Sequence, residues 1–173
     1  AFNHEVAKTP ERVSEPMIGQ MRIQWWREAI EGIYDGRPRE HRVVEALAQA
    51  VRSHGLSRKY FDRLLDTREK DLELQAPESL PALEDYADGT SATLTWLALE
   101  VLGVKGGPAM DAGRRVGVCY AMTGLLRAIP FHAREKRVYI PRDLLSASSA
   151  RLSDIFALKS PEGLRPVVEQ LAA

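Results

Sequence analysis

Apolar positions recur every three or four residues along most of the chain, which is the period of an amphipathic α-helix. Between residues 15 and 34 two apolar stripes run side by side, a wider apolar surface than a helix packed on one side needs. The first stripe is Ile18, Met21, Trp25 and Ala29, and the second is Ile23, Trp26, Ile30 and Ile33. The pattern predicts a helix that is buried on two sides.

Turn and cap residues divide the rest of the chain into further predicted helices. Glycine is a common helix stop, serine a common N-cap, and proline interrupts a helix because it lacks a backbone donor. These signals predict helices over 39–54, 58–75, 82–102 and 109–129, an extended piece over 137–141 that leads into a short helix, and a last helix from Ser160. Alternation of the β-strand type is hardly present, so we predict a single all-α domain over 1–173. Because the sequence starts and stops inside predicted helices, we expect it to lack the first and last helices of a longer protein.

Composition narrows the possible partners. The 173 residues are 45% hydrophobic, enough for a core, and carry 24 Lys and Arg against 24 Asp and Glu. With no net charge to attract nucleic acid, we expect no nucleic-acid partner. The single cysteine, Cys119, fits a reducing compartment and is expected to be buried and inert, and no apolar run approaches the ~18 residues of a membrane span. We therefore expect a cytoplasmic protein, at most peripheral on a membrane.

A stripe of very small side chains follows one face of the predicted helix 109–129. It consists of Gly117, Ala121, Gly124 and Ala128. Small residues allow another helix to approach closely, and they also leave room for a cavity. The stripe favours tight helix packing or a cavity wall, and Tyr86 could add a hydroxyl to such a wall.

The end of the same helix is strongly basic. Five cations stand against the single acid Glu135: Arg127, Arg134, Lys136, Arg137 and Arg142. Arginine stays charged at any cellular pH and offers a planar fork to phosphate, so the segment could bind an anion without a metal. The alternatives are that Arg127 caps its helix or pairs with a carboxylate, and that the other cations are solvated.

Three segments, "QMRIQWWREAIEGIY", "FDRLLDTREKDLE" and "GLLRAIPFHAREKRVYIPRDLL", resemble the squalene/phytoene synthase family over nearly the whole chain. The resemblance implies the all-α isoprenoid synthase fold, a helical bundle with a central cavity. Active members hold diphosphate through Mg²⁺ on two Asp-x-x-x-Asp motifs, because ionising an allylic diphosphate requires hard cations with oxygen ligands. Here the matching positions are Ala7 and Lys8 in the first motif, and Ala128 and His132 in the second. The resemblance thus implies no metal and no catalytic residues.

Three features resemble a non-catalytic branch of that family, which comprises a complex I assembly factor with a phytoene-synthase-like domain and its bacterial relatives. They are Asn3 and Glu5 in "AFNHEVAK", the run Gln24-Trp25-Trp26-Arg27, and "LRAIPFHAREKRVYIP". This implies a catalytically degenerate protein that acts in respiratory complex I assembly, or binds isoprenoids or phospholipids, at the inner membrane, on the matrix side if mitochondrial. An anionic head or diphosphate would be bound by Lys8, Arg127, Arg134, Arg137 and Tyr139. The alternative is an active prenyltransferase that binds Mg²⁺ through Glu5, Asp66, Glu69 or Asp71.

Overall fold

The structure is a computed structural model that describes residues 1–13, 15–73 and 75–172, and every regular element in these ranges is helical. The α-helices are α1 (Phe2–Ala7), α2 (Thr9–Arg12), α3 (Pro16–Tyr34), α4 (Arg42–His54), α5 (Arg58–Glu69), α6 (Leu80–Ala87), α7 (Thr93–Val101), α8 (Pro108–Arg127), α9 (Ile129–Arg134), α10 (Arg142–Ala147), α11 (Leu152–Phe156) and α12 (Leu164–Ala172). A 3₁₀ turn (Lys70–Leu72) follows α5, and a π-helical turn (Asp88–Ala92) joins α6 to α7. In the described ranges no helix is both long and apolar enough to cross a bilayer.

The all-α prediction is confirmed, although several boundaries differ from the predicted ones: α4 begins at Arg42, α12 begins at Leu164, and a separate helix, α9, follows α8. Two further differences lie near the cavity described below. The predicted helix 58–75 ends at Glu69 and tightens into the 3₁₀ turn, which buries Asp71 and Leu72. The predicted helix 82–102 contains the π-helical turn, a distortion that apolar periodicity alone does not reveal. The segment 137–141 is not helical, as predicted.

The buried apolar residues form two clusters. The first joins α1, α3, α4 and α5 with the end of α7, and its aromatic centre brings Phe2 into edge contact with Trp26 and Phe61. The second joins α6, α9, α10, α11 and α12 around Leu83, Ala133 and Ile140. Helices α6 and α8 and the π-helical turn pack against one another between these clusters and thereby connect them.

In its first half, helix α3 is buried on one side and exposed on the other. This corrects the prediction that the helix is buried on two sides. The second stripe packs into the core from Ile23 to Ile33. In the first stripe, Ile18 and Met21 are 45% and 68% exposed, whereas Ala29 is buried. The two stripes are similarly apolar, so the sequence pattern could not tell which one meets a neighbouring helix.

The π-helical turn is held at close range by its neighbours. An ideal Cβ on Gly89 would lie 2.0 Å from Thr67 Oγ1 of α5, and one on Gly117 would lie 2.6 Å from the Ala92 Cα. Both approaches are closer than any side chain permits. Glycine at these positions therefore allows α5 and α8 to pack on the turn.

Two buried carboxylates fix the ends of these helices. Asp88, in the π-helical turn, pairs with Arg63 of α5 at 3.3 Å and Arg114 of α8 at 2.5 Å. Glu100, 3% exposed in α7, accepts hydrogen bonds from the Ser57 backbone N–H at 2.7 Å and the Ser57 hydroxyl at 2.5 Å. Glu100 thus satisfies a free amide at the start of α5, the task that a capping side chain usually performs.

Candidate functional site

A cavity of about 470 Å³ lies between the first two helices, α5, α6 and the α8–α9 corner. Its wall contains cationic, acidic and aromatic side chains together with the apolar Leu125 and Phe131. The polar groups come from four separate parts of the chain: Glu11, the pair Arg68 and Asp71, Tyr86, and the segment from His132 to Tyr139. This mixture can accommodate a ligand that has both an apolar and a charged part.

The wall is organised around the Asp71 carboxylate, whose side chain is 4% exposed. Arg68 Nη1 donates to Asp71 Oδ2 at 2.9 Å, and the Tyr139 hydroxyl donates to Oδ1 at 3.1 Å. Arg137 Nη1 donates to the backbone carbonyl of Asp71 at 3.0 Å, and Arg68 Nη1 also lies 3.0 Å from the Tyr86 hydroxyl. Asp71 therefore holds Arg68 and Tyr139 through its carboxylate, and Arg137 through its backbone carbonyl.

Four of these residues also line a second cavity of about 200 Å³: Asp71, Tyr86, Arg137 and Tyr139. Burial and the nearby Asp71 charge raise the pKa of Tyr86 well above its ordinary value and also raise the pKa of Tyr139. Both phenols therefore keep their protons at neutral pH, and Tyr139 donates its proton to Asp71.

His132 lies beside this network, with its ring centroid 4.8 Å from that of Tyr139. Burial, and then the Arg137 charge, lower the pKa of His132 from 6.5, although Asp71 acts in the opposite direction. The histidine is therefore neutral at pH 7, and protonating it would add a third cation beside Arg68 and Arg137.

The lowered pKa of His132 predicts a pH-dependent stability. The unfolded chain takes up this proton at a higher pH than the folded chain does. The contribution of His132 to the free energy of unfolding should therefore be fully present above pH 6.5 and be lost as the pH falls below that value. The free energy of unfolding, measured by urea titration across this range, should fall less steeply in His132→Gln than in the unsubstituted chain. Equal slopes in both proteins would contradict the assignment.

The structure brings together some of the residues that the sequence singled out. Ala7, Tyr86, His132, Arg137 and Tyr139 all line the larger cavity. In contrast, Arg127 and Arg134 are exposed in the last turns of α8 and α9, and Lys8 ends α1; these three do not belong to the lining. The anion-binding role of the five residues Lys8, Arg127, Arg134, Arg137 and Tyr139 stays a prediction.

The small-residue stripe on α8 is not uniform. Gly117 contacts Ala92 of the π-helical turn, as tight helix packing would require, whereas an ideal Cβ on Gly124 would meet nothing within 4 Å. Ala121 and Ala128 are half-buried, and their role as cavity walls stays a prediction. Cys119, two residues from both Gly117 and Ala121, is exposed, which corrects the expectation of a buried thiol.

The carboxylates that a metal would need are held by arginines. Arg27 pairs with both Asp66 and Glu69, the latter at 2.7 Å, and Glu5 pairs with Arg12 at 2.9 Å. Asp71 is engaged by Arg68 and Tyr139 as described. By the sequence resemblance described above, Ala7, Lys8, Ala128 and His132 stand where active synthases carry aspartates, and this correspondence stays a prediction. This set of donors does not fit Mg²⁺, which prefers several carboxylate or water oxygens in octahedral geometry.

Sequence reasoning missed Arg68 altogether and considered Asp71 only as a metal ligand. Their spacing of three residues on a helix was the available signal for an ion pair. The contact of Asp71 with Arg137 and Tyr139 joins positions more than 60 residues apart, and no local pattern could have shown it.

The sequence of the chain was compared with those of known proteins, and the matches fall in one family. The sequence model described as squalene/phytoene synthase matches residues 1–173. A mouse protein named NADH dehydrogenase (ubiquinone) complex I, assembly factor 6, is 36% identical over 173 residues, and its human counterpart is 33% identical. A presqualene diphosphate synthase from Rhodopseudomonas palustris is 27% identical over 157 residues, which cover 87% of this chain and 55% of the synthase.

Both assembly factors are matched over 100% of this chain and 52% of their own length, so the chain spans about half the length of these curated relatives. Among solved structures, squalene synthase HpnC from Alicyclobacillus acidocaldarius superposes with a TM-score of 0.86 at 18% identity, covering 98% of this chain and 64% of that one. A dehydrosqualene synthase gives a TM-score of 0.84 at 16% identity, covering 98% and 59%. The fold is therefore that of these synthases.

Proposed function

The chain belongs to the squalene/phytoene synthase family, and from this premise we propose that it acts in the assembly of respiratory complex I and does not catalyse prenyl transfer. The observation that carries the proposal is the difference in similarity between two groups of relatives. The mammalian proteins named as complex I assembly factors are 33–36% identical along the whole chain, whereas the presqualene diphosphate synthases are 27–28% identical over 76–87% of it.

The pairing of the candidate metal-binding acids supports the non-catalytic part of the proposal. In a prenyl transfer of this kind, Mg²⁺ would supply the activation of the diphosphate leaving group. In this chain, Asp66, Glu69 and Asp71 already bind arginine side chains, and Lys8 stands at a position where active members carry an aspartate. A lysine would repel a divalent cation and attract an anion.

The same cavity supports a finer proposal, that the protein binds an isoprenoid or phospholipid with an anionic head at the inner membrane. Arg68 and Arg137 provide positive charge beside the acids Glu11, Asp71 and Glu135, the tyrosine hydroxyls provide polar contact, and Leu125 and Phe131 provide apolar contact. Arginine can bind a phosphate directly through paired hydrogen bonds. Binding of such a molecule needs no metal, whereas ionising it does.

The proposal predicts that the purified chain, given farnesyl or geranylgeranyl diphosphate with Mg²⁺, releases no pyrophosphate above a control without protein. The physical reason is that the leaving group has no paired carboxylates to hold its metal ions. The measurement is a coupled pyrophosphate assay, with an active presqualene diphosphate synthase as the positive control. Clear turnover would instead support an active prenyltransferase that uses Glu5, Asp66, Glu69 or Asp71.

The assembly role is tested in the cell that carries the gene. Deleting it should reduce the amount of fully assembled complex I on native gels and the NADH oxidation rate of isolated membranes, while the other respiratory complexes remain. Reintroducing the gene should restore both. An unchanged level of complex I in the deletion strain would refute the assembly role, whatever the outcome of the pyrophosphate assay.

A further inference from the structure

Two turns of the molecule share an uncommon backbone conformation. Lys136, in the turn after α9, has φ of 55°, and Leu158, in the turn after α11, has φ of 57°. Across the ranges that the structure describes, no other non-glycine residue has a positive φ. The left-handed region is disfavoured by side chains and is adopted most easily by glycine, asparagine and aspartate.

These two turns lie side by side. Helix α9 packs against α11, and the Lys136 ammonium lies 5.4 Å from the centre of the Phe156 ring, two residues before Leu158. Backbone strain of this kind persists only where the surrounding structure enforces it. Here the two strained turns place Lys136 and Leu158 next to each other, and Leu158 is 49% exposed.

The elements around these turns expose further apolar and cationic groups. Phe131 on α9 is 58% exposed, and Leu152 on α11 is 42% exposed. Over 131–136 and 151–159 there are four cations and two acids, a net charge of +2 if His132 is neutral. The cations are Arg134, Lys136, Arg151 and Lys159. An anionic bilayer has negatively charged headgroups over an apolar interior. The positive charges of this surface can meet the headgroups, and its large apolar side chains can enter the layer beneath them.

We propose that this surface, the α9–α11 face, consisting of Phe131, Arg134, Lys136, Leu152, Leu158 and Lys159, is the membrane contact of the protein and binds anionic phospholipid bilayers. The inference rests on the peripheral membrane location included in the proposed function, and it adds the surface and its lipid chemistry. Phe131 also lines the larger cavity. The cavity that holds Arg68 and Arg137 therefore borders this face.

The structure also excludes one basic residue from this contact. Arg137 is half-buried and donates to the Asp71 carbonyl, so it cannot reach a membrane without breaking the cavity wall. Arg134 is exposed in the last turn of α9, and Leu158 is partly exposed. These two residues provide the sharpest test.

The test is flotation of the full chain with vesicles of phosphatidylcholine containing phosphatidylglycerol, with pure phosphatidylcholine vesicles as the neutral comparison. The unsubstituted chain should float with the anionic vesicles at low salt and dissociate at high salt. The double variant Arg134→Gln, Leu158→Asn should bind the anionic vesicles about tenfold more weakly, since it loses a cation and an apolar contact.

A matched control and a stability measurement separate membrane binding from folding. The variant Arg37→Gln, Leu102→Asn makes the same chemical changes at residues 83% and 77% exposed, next to helices of the other apolar cluster, and should bind like the unsubstituted chain. Because asparagine tolerates the left-handed conformation, Leu158→Asn should keep or raise the melting temperature. If the unsubstituted chain does not float, or if both variants bind equally, the face is not a membrane contact. Loss of complex I on gene deletion, together with such a result, would leave the assembly role standing and point to a protein partner at this face.

Discussion

Replacing Asp71 by asparagine is expected to lower the free energy of unfolding by about 3 kcal/mol, because it leaves a buried arginine without its counter-charge. The Asp71 side chain is 4% exposed and the Arg68 side chain 18%, so water can compensate little for the lost charge. The Tyr139 hydroxyl would exchange its carboxylate acceptor for a weaker amide oxygen, whereas the bond from Arg137 to the Asp71 backbone carbonyl would remain. Urea unfolding followed by circular dichroism measures the change.

Asp66→Asn is the control for this substitution, since it removes the same charge from an acid that also pairs with an arginine. The Asp66 side chain is 63% exposed, and Arg27 retains its bond to Glu69. Its expected effect is below about 1 kcal/mol, the usual magnitude for exposed ion pairs. Comparable losses in the two variants would show that Asp71 does not organise the cavity wall.

Replacing Gly117 by alanine is expected to destabilise the protein by about 3 kcal/mol. The added methyl group would lie 2.6 Å from the Ala92 Cα and 2.9 Å from its nitrogen, so backbone atoms of the π-helical turn would have to move. A flexible side chain could rotate away, but a backbone held by α5 on its other side cannot. Thermal unfolding, together with urea titration, measures the effect.

Gly124→Ala provides the opposite result on the same helix. An alanine there would meet nothing within 4 Å and would reduce the conformational freedom of the unfolded chain, so we expect a gain of about 0.5–1 kcal/mol. A destabilised Gly124→Ala, or a neutral Gly117→Ala, would mean that the two glycines do not differ in their surroundings as described.

The helical fold could be predicted from the sequence because its signals are local. Apolar residues at helical spacing, Gly55 after α4 and Pro130 after α8 act within a few residues, and the structure places helix ends close to them. Lateral contacts were harder to predict. The two stripes of α3 have similar composition, yet Met21 is exposed and Ile23 is buried, since burial depends on which helix arrives from elsewhere in the chain.

The candidate site was predicted in part, for the same physical reason. The basic segment 134–137 stands out in the sequence, but whether each arginine reaches the cavity depends on distant partners. Arg137 meets Asp71, whereas Arg134, three residues earlier, is exposed. Likewise, glycine and alanine at helical spacing suit both a close contact and an open wall, and the stripe on α8 contains one of each, at Gly117 and Gly124.

The π-helical turn determines the rotational setting of α7. A π-helical turn accommodates one residue more than the α-helical turn it replaces, and each residue of a helix turns the chain by about 100°. Without the extra residue, the side of α7 that carries Thr93, Leu97 and Glu100 would rotate out of the interior, and Glu100 would no longer reach Ser57. A single-residue deletion between Asp88 and Ala92 would therefore shift the phase of every later side chain on α7, so the length of this short segment is constrained in addition to the glycine at position 89.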